Sequence, residues 1–318
     1  MSETAHRYYR PSSGAPLSGI MTMLTVGTLA AAVLGAVYGA VSYYNPLIYF
    51  TFIAAAIFGA GVGMAIRYGA RIGRVRNRKV VWGVSFVIAA LAVYLCWVAY
   101  VSIFVQHHAN AEVKAAIGPV VMDPLVVGSL IQAFAKQGLW EIKGGRPTGW
   151  ALYSIWTIEA LIIGGVALLT AVGECIPFCE ACHRWTEPED LDAKIPLENA
   201  VEFAQALEAE QYSKLLEINS GTVNAKDCVH LTVYGCPMCE DSDHLTAVRK
   251  IFVTNDKGEE ETKEEMLFAN MIVPHRVIEG LATLPVETQS DLADDAELAS
   301  VETEASSTDD DRHEPSAV

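Results

Sequence analysis

Four runs along the chain are apolar for about twenty residues or more, and together they contain a single charged side chain, Glu159. They extend from about Leu17 to Val41, Leu47 to Ile66, Val80 to Val105 and Leu152 to Val172. A bilayer core about 30 Å thick takes roughly 20 helical residues to cross, so each run predicts a transmembrane helix. Arg7 and Arg10 precede the first run, as they would in a secretion signal. That run exceeds the roughly 7 to 15 apolar residues of a signal core and has no clear small-residue cleavage site after it, so it reads as a retained helix.

Beyond Gly173 the pattern changes to short periodic segments. Leu197 to Ile218 carries apolar residues at helical spacing with acids between them, predicting one amphipathic helix. Val229 to Tyr234 reads as a strand. Two strand-like runs, Leu245 to Val253 and Glu265 to Ile272, flank the turn Asn255-Asp256-Lys257-Gly258, which predicts a hairpin. Pro274 then opens a short helical segment, His275 to Leu284. From Val286 to Val318 almost no large apolar residue occurs, and such a segment cannot bury enough surface to offset chain entropy. The expected fold is an α-helical membrane protein with four transmembrane helices, a small α+β zinc-ribbon-like domain over 174–285 and a disordered acidic tail over 286–318. Residues 1–16 are expected as a cytoplasmic N-terminal segment and 17–173 as the transmembrane domain.

Composition sharpens this division. The 318 residues are 52% hydrophobic yet carry a net charge of −16, which conflicts for one globular body and agrees for two unlike halves. So acidic a chain excludes nucleic acid as a partner, since binding phosphate needs clustered Lys and Arg. The one basic cluster, Arg67, Arg71, Arg74, Arg76, Arg78 and Lys79, lies between the second and third runs without an acid. By the positive-inside rule that loop faces the cytoplasm, and both chain ends then do so too. Residues 106–151 become an outer loop, in which Asp123-Pro124 opens a short amphipathic helix that stops at Gly138. His107 and His108 stand at the mouth of the third helix. Neighbouring side chains diverge on a helix, so these two read as an interfacial cap and not as a metal site.

Gly35/Gly39 and Gly59/Gly63 form small-xxx-small pairs that let helices approach closely, within one bundle or between copies in a homo-oligomer. Glu159 is a candidate functional residue by default, because a carboxylate in a bilayer core is costly.

Six of the seven cysteines follow the fourth run. Cys179-x2-Cys182 and Cys236-x2-Cys239 each have the spacing at which two thiolates turn around one tetrahedral ion. On a reducing cytoplasmic face such pairs indicate metal more often than disulfide, so these four are the expected ligands of one structural zinc. A small domain gains stability from such an ion, and its loss is expected to unfold the domain. Cys175, Cys228, His183, His230 and His244 read as packing or surface residues. No GxxxxGK[ST], HExxH or GxSxG motif occurs.

Tyr44-Asn45-Pro46-Leu47-Ile48-Tyr49, Gly73-Arg74-Val75-Arg76-Asn77 and Pro177-Phe178-Cys179-Glu180-Ala181-Cys182-His183-Arg184-Trp185 resemble segments of bacterial four-span membrane proteins with a cysteine-rich C-terminal domain. The resemblance implies a bacterial inner-membrane setting and carries over no activity and no catalytic residue. The expected role is a membrane-anchored zinc-binding scaffold with a protein partner on the cytoplasmic face, not an enzyme. A membrane thiol-disulfide oxidoreductase using the CxxC pairs, and a small transporter or channel subunit depending on Glu159, are the alternatives.

Overall fold

The computed structural model describes residues 7–45, 48–117, 120–138, 145–173, 176–218, 228–239, 243–254 and 260–283. It divides into two compact units, one of residues 11–175 and one joining residues 1–10 to 176–318. The expected tail over 286–318, the turn at 255–258 and Cys175 lie outside the described residues.

The first unit is helical. Its long helices are α1 (Leu17–Tyr44), α2 (Ile48–Ile72), α3 (Arg78–His108) and α6 (Trp150–Val172), with α4 (Ala111–Ile117) and α5 (Pro124–Gln137) between the last two. Each long helix extends past its apolar run, and all four are long and apolar enough to cross a membrane. α1 packs on α2 and α3, and α6 closes the ring by packing on both. The buried positions of α1 include Gly19, Met23, Gly27, Ala31, Gly35 and Gly39, one every four residues, so a ridge that is Gly or Ala everywhere but at Met23 faces inward. A β-carbon at Gly39 would lie 2.7 Å from Ala99 Cβ on α3. One at Gly59 or Gly63 would lie 2.5 Å from the Ile163 or Ala167 carbonyl oxygen on α6. Both glycine pairs therefore seat helices of the same chain against each other. Large apolar side chains such as Leu29, Val37, Ile57, Phe86, Leu161 and Leu169 point outward and are exposed. Helix contacts rich in small residues, with bulky apolar side chains outside, fit a membrane protein, whose outer surface meets lipid.

The basic stretch is mostly helix end, not loop. α2 runs to Ile72 and α3 starts at Arg78, leaving only 73–77 between them. Asn77 caps α3 by accepting from the backbone N–H of Lys79 at 3.0 Å, and the N–H groups of Arg76 and Asn77 donate to Gly14 O at 2.8 and 3.1 Å. At the other end of the bundle, the tyrosine hydroxyls of Tyr43 and Tyr44 lie 3.1 and 3.0 Å from Nε2 of His108 and His107. α5 has the expected Asp123 cap, which accepts from Leu125 N at 2.8 Å, and ends at Gly138 with φ 74°. Its Phe134 is buried against Phe104 and Tyr100 of α3, with ring centroids 4.7 and 6.2 Å away.

The second unit is built on an antiparallel sheet in the order β3 (Glu187–Pro196), β4 (Cys228–Gly235), β5 (His244–Thr254), β6 (Glu260–Ile272). A separate hairpin, β1 (Phe178–Cys179) with β2 (Arg184–Trp185), precedes it. α7 (Ala200–Glu208), α8 (Tyr212–Ile218) and α9 (His275–Ala282) complete the unit. Phe203, Leu207, Leu215, Val277, Ile278 and Leu281 from these helices share one core with Ile195, Val229, Leu231, Leu245, Phe268 and Met271 of the sheet.

Three features depart from the sequence reading. β3 has two prolines and a run of acids, which lower strand propensity, and it forms at the sheet edge, where missing ladder donors and charge are tolerated. The single helix expected over Leu197 to Ile218 is broken after Glu208. Glu210 adopts φ 56°, while Glu210 N bonds Leu207 O and Gln211 N bonds Ala206 O, the paired bonds that close a helix at a left-handed residue. The N-terminal segment is not separate either. Tyr9 N donates to Asn270 O at 2.9 Å and Ile272 N to Arg7 O at 2.7 Å, so residues 7–9 extend the sheet beside β6. Tyr8 Oη donates to Glu208 at 2.7 Å and Arg7 pairs with Glu210 at 3.3 Å, fixing the segment to α7 and the turn after it.

Candidate metal centre

Two turns of the sheet unit bring four sulfurs together. The first is the β1–β2 hairpin. Its strands are too short to persist alone, and local contacts close it: Phe178 and Trp185 meet edge to face with centroids 5.1 Å apart, and Thr186 donates to Pro177 O through Oγ1 at 2.9 Å. Within the turn, Cys182 N donates to Cys179 Sγ at 3.4 Å, and His183 takes φ 52° to reverse the chain. The second turn follows β4: Pro237-Met238 carries the chain from Cys236 to Cys239.

Cys179, Cys182, Cys236 and Cys239 each offer a sulfur, and these atoms all lie within 4.8 Å of one another. Cys179 is fully buried and the other three are half-buried. Cys179 Sγ and Cys239 Sγ are 3.7 Å apart. A tetrahedral site with metal–sulfur bonds of about 2.3 Å has edges of about 3.8 Å, so this pair already stands at a ligand-to-ligand spacing. The set can hold a metal ion, and it is the only group of three or more potential ligands among the described residues. The Cys182 thiol is pushed up to about 12, first by its hydrogen bond to Cys239, then by desolvation and the other two thiols. Clustered sulfurs resist ionising together until a cation supplies the opposing charge.

His183, His230, His244 and Cys228 are not among the clustered ligands. His230 Nε2 meets Cys228 Sγ at 3.5 Å on β4, and His183 is an exposed turn residue. His244 is buried edge to face with Tyr9, centroids 5.2 Å apart. A groove of about 680 Å³ runs beside the cluster, lined by Glu187, Glu189, Cys236, Met238, Cys239, Asp243 and His275 among others. At its base His275 Nδ1 pairs with the buried Asp243 carboxylate at 2.6 Å, and Val273 N donates to Asp243 O at 3.1 Å. Asp243 thus ties the chain after the second turn to the start of α9. Sequence reasoning missed this pair because the partners lie 32 positions apart, and Pro274-His275 signalled only a helix start.

Glu159 belongs to the helical unit. Tyr38 Oη on α1 donates to its carboxylate, and the Tyr38 ring stacks on Phe58 of α2 with centroids 5.0 Å apart. The partner that the sequence did not reveal is therefore an uncharged hydroxyl from another helix.

Fold and site together define a chain of two parts: four helices able to cross a membrane, and a sheet unit whose four cysteines can hold a metal ion. No family model, no curated protein and no solved structure matches this chain.

Proposed function

We propose that this protein is a membrane-anchored scaffold whose sheet unit folds around one structural zinc ion and presents an interaction surface at the cytoplasmic face. The observation that carries the reading is the convergence of four cysteine sulfurs, from two turns far apart in sequence, to within 4.8 Å. Four thiolates in a tetrahedral set favour zinc, or iron in some sites, over hard cations. The location of the pairs speaks against the oxidoreductase alternative. A redox CxxC draws its reactivity from a helix N-terminus, whereas Cys179/Cys182 lie in a strand hairpin and Cys236/Cys239 in a turn between β4 and β5. The groove beside the cluster, rimmed by Glu187 and Glu189, is the surface we assign to a protein partner.

The orientation has two supports. The basic side chains at the adjoining ends of α2 and α3 and in the residues between them favour the cytoplasm. Residues 7–9, which precede α1, pair with β6, which follows α6, and this supports an even number of crossings between them. The short segments described above imply a bacterial inner membrane as the setting.

The test is elemental analysis of the full-length protein, purified in detergent under reducing conditions. One zinc per chain, absent from a Cys179→Ser/Cys236→Ser variant, is expected. Iron in place of zinc would change the metal assigned. A metal-free wild-type protein that forms disulfides reversibly would replace the scaffold with the oxidoreductase.

A further inference from the structure

Glu159 opens onto a small cavity of about 50 Å³ inside the helical bundle. Its wall brings together groups from all four long helices. Tyr38 and Ser42 come from α1, Thr51 from α2, Trp97 from α3, and Trp156 with Glu159 from α6. Tyr38, Ser42, Thr51 and Tyr100 of α3 thus bring four hydroxyls to the wall beside the Glu159 carboxylate, and Trp97 and Trp156 meet edge to face with centroids 4.9 Å apart. Among the described residues, no Lys, Arg or His lines the cavity. A carboxylate in such surroundings is costly unless it carries a proton or has a cation against it. Aromatic faces and the lone pairs of hydroxyl oxygens attract a cation, and the carboxylate disfavours an anion.

Size narrows the occupant. A cavity needs about 10–15 Å³ of open space to hold one water, so this one suits a few water-sized particles. Position gives access. Ser42 lies near the end of α1 and Thr51 near the start of α2, at the end of the bundle that carries Tyr43, Tyr44 and the two histidines.

We propose that this cavity is a binding site for one small monovalent cation, an alkali or ammonium ion, which competes with the proton for the Glu159 carboxylate. The oxygens of Tyr38, Ser42 and Thr51 take the place of part of the ion's water shell. When the ion leaves, a proton replaces it, and the hydrogen bond from Tyr38 holds the carboxyl in place. The other titratable groups facing Glu159 are Tyr38 on α1 and Cys96 and Tyr100 on α3; the lining contributed by α2 has none.

The test exploits a reagent that needs the protonated form. Dicyclohexylcarbodiimide adds to a protonated carboxyl in an apolar setting and can be counted by intact mass. Full-length protein in nanodiscs is treated across mildly acid to mildly alkaline pH in sodium, potassium, ammonium or N-methylglucamine chloride at one ionic strength. Wild type is expected to be labelled, with Glu159→Gln unlabelled. At least one of the three small ions should slow labelling about threefold when present at twice its dissociation constant. Protection should grow as pH rises, and the bulky N-methylglucamine ion should give none. Tyr38→Phe should keep the labelling and lose most of the protection. Equal rates in all four salts would overturn the proposal and leave a protonated structural carboxyl. Absence of labelling in wild type at every pH would also overturn it, because the carboxyl would then not exchange.

Discussion

Removing one ligand from the metal centre should loosen one end of the sheet unit and leave its core folded. Cys179 is the sharpest position, since its sulfur is fully buried and stands 3.7 Å from that of Cys239. Structural zinc sites have apparent binding energies of about 10–16 kcal/mol, or about 2.5–4 kcal/mol for each of four ligands if shared evenly. Cys179→Ser should therefore weaken zinc binding by roughly 100- to 1,000-fold. Among the described residues, the buried core of the sheet unit includes no cysteine, so the metal and the core are separable sources of stability. The hairpin is different: β1 and β2 have two residues each and depend on the turn between them. Competition with a chromophoric chelator measures the affinity, and hydrogen exchange with and without metal measures the folding. Loss of metal should abolish protection at 178–186 and 236–239 while the central strands β4 and β5 keep theirs. The reasoning fails if Cys179→Ser holds zinc as tightly as wild type, or if the hairpin stays protected after the metal is stripped. Global unfolding would instead restore the simpler expectation drawn from sequence, that the whole domain depends on the ion.

Gly63→Leu places a side chain where even a β-carbon is 2.5 Å from Ala167 O, and should lower the stability of the helical unit in detergent by about 1–3 kcal/mol or more. Gly164→Ala, with nothing within 4 Å, should leave thermal unfolding unchanged. Tyr8→Phe removes the 2.7 Å bond to Glu208 and should weaken docking of the N-terminal segment by about 0.5–1.5 kcal/mol, seen as faster exchange of the Ile272 amide. Burial first, and then the Glu208 hydrogen bond, push the Tyr8 hydroxyl up to about 12. Its contribution is thus complete below the ordinary tyrosine value near 10 and is lost as pH rises through about 12. Asp243→Ala breaks a charge-assisted bond to His275 in a buried setting and should destabilise the sheet unit by about 1.5–3 kcal/mol, measured by denaturant unfolding; a double-mutant cycle with His275→Ala isolates the pair.

The long helices and the cysteine pairs were legible along the chain because the signals behind them are local. Twenty apolar residues in a row report a bilayer-length helix whatever packs on it, and a CxxC spacing reports a turn that can hold two sulfurs. The hairpin of β5 and β6 and the capped α5 were legible for the same reason, since alternation and an Asp-Pro start are written over a few residues. β3 was not, because its prolines and acids argue against a strand and only a place at the sheet edge accommodates them. Nor was the break at Glu210, where a residue other than glycine takes a left-handed conformation that the apolar spacing does not announce.

Sequence alone therefore determined where the chain can cross a membrane, which cysteines stand in pairs, and that the two halves have opposite character. Tertiary structure decided which groups meet across long separations. It joined two pairs about 53 residues apart into one site, set Asp243 against His275, and gave Glu159 a hydroxyl partner 121 positions away. It also laid residues 7–9 along β6. Those contacts depend on how helices and strands are stacked, and stacking is governed by the summed burial of many side chains, which no single segment encodes.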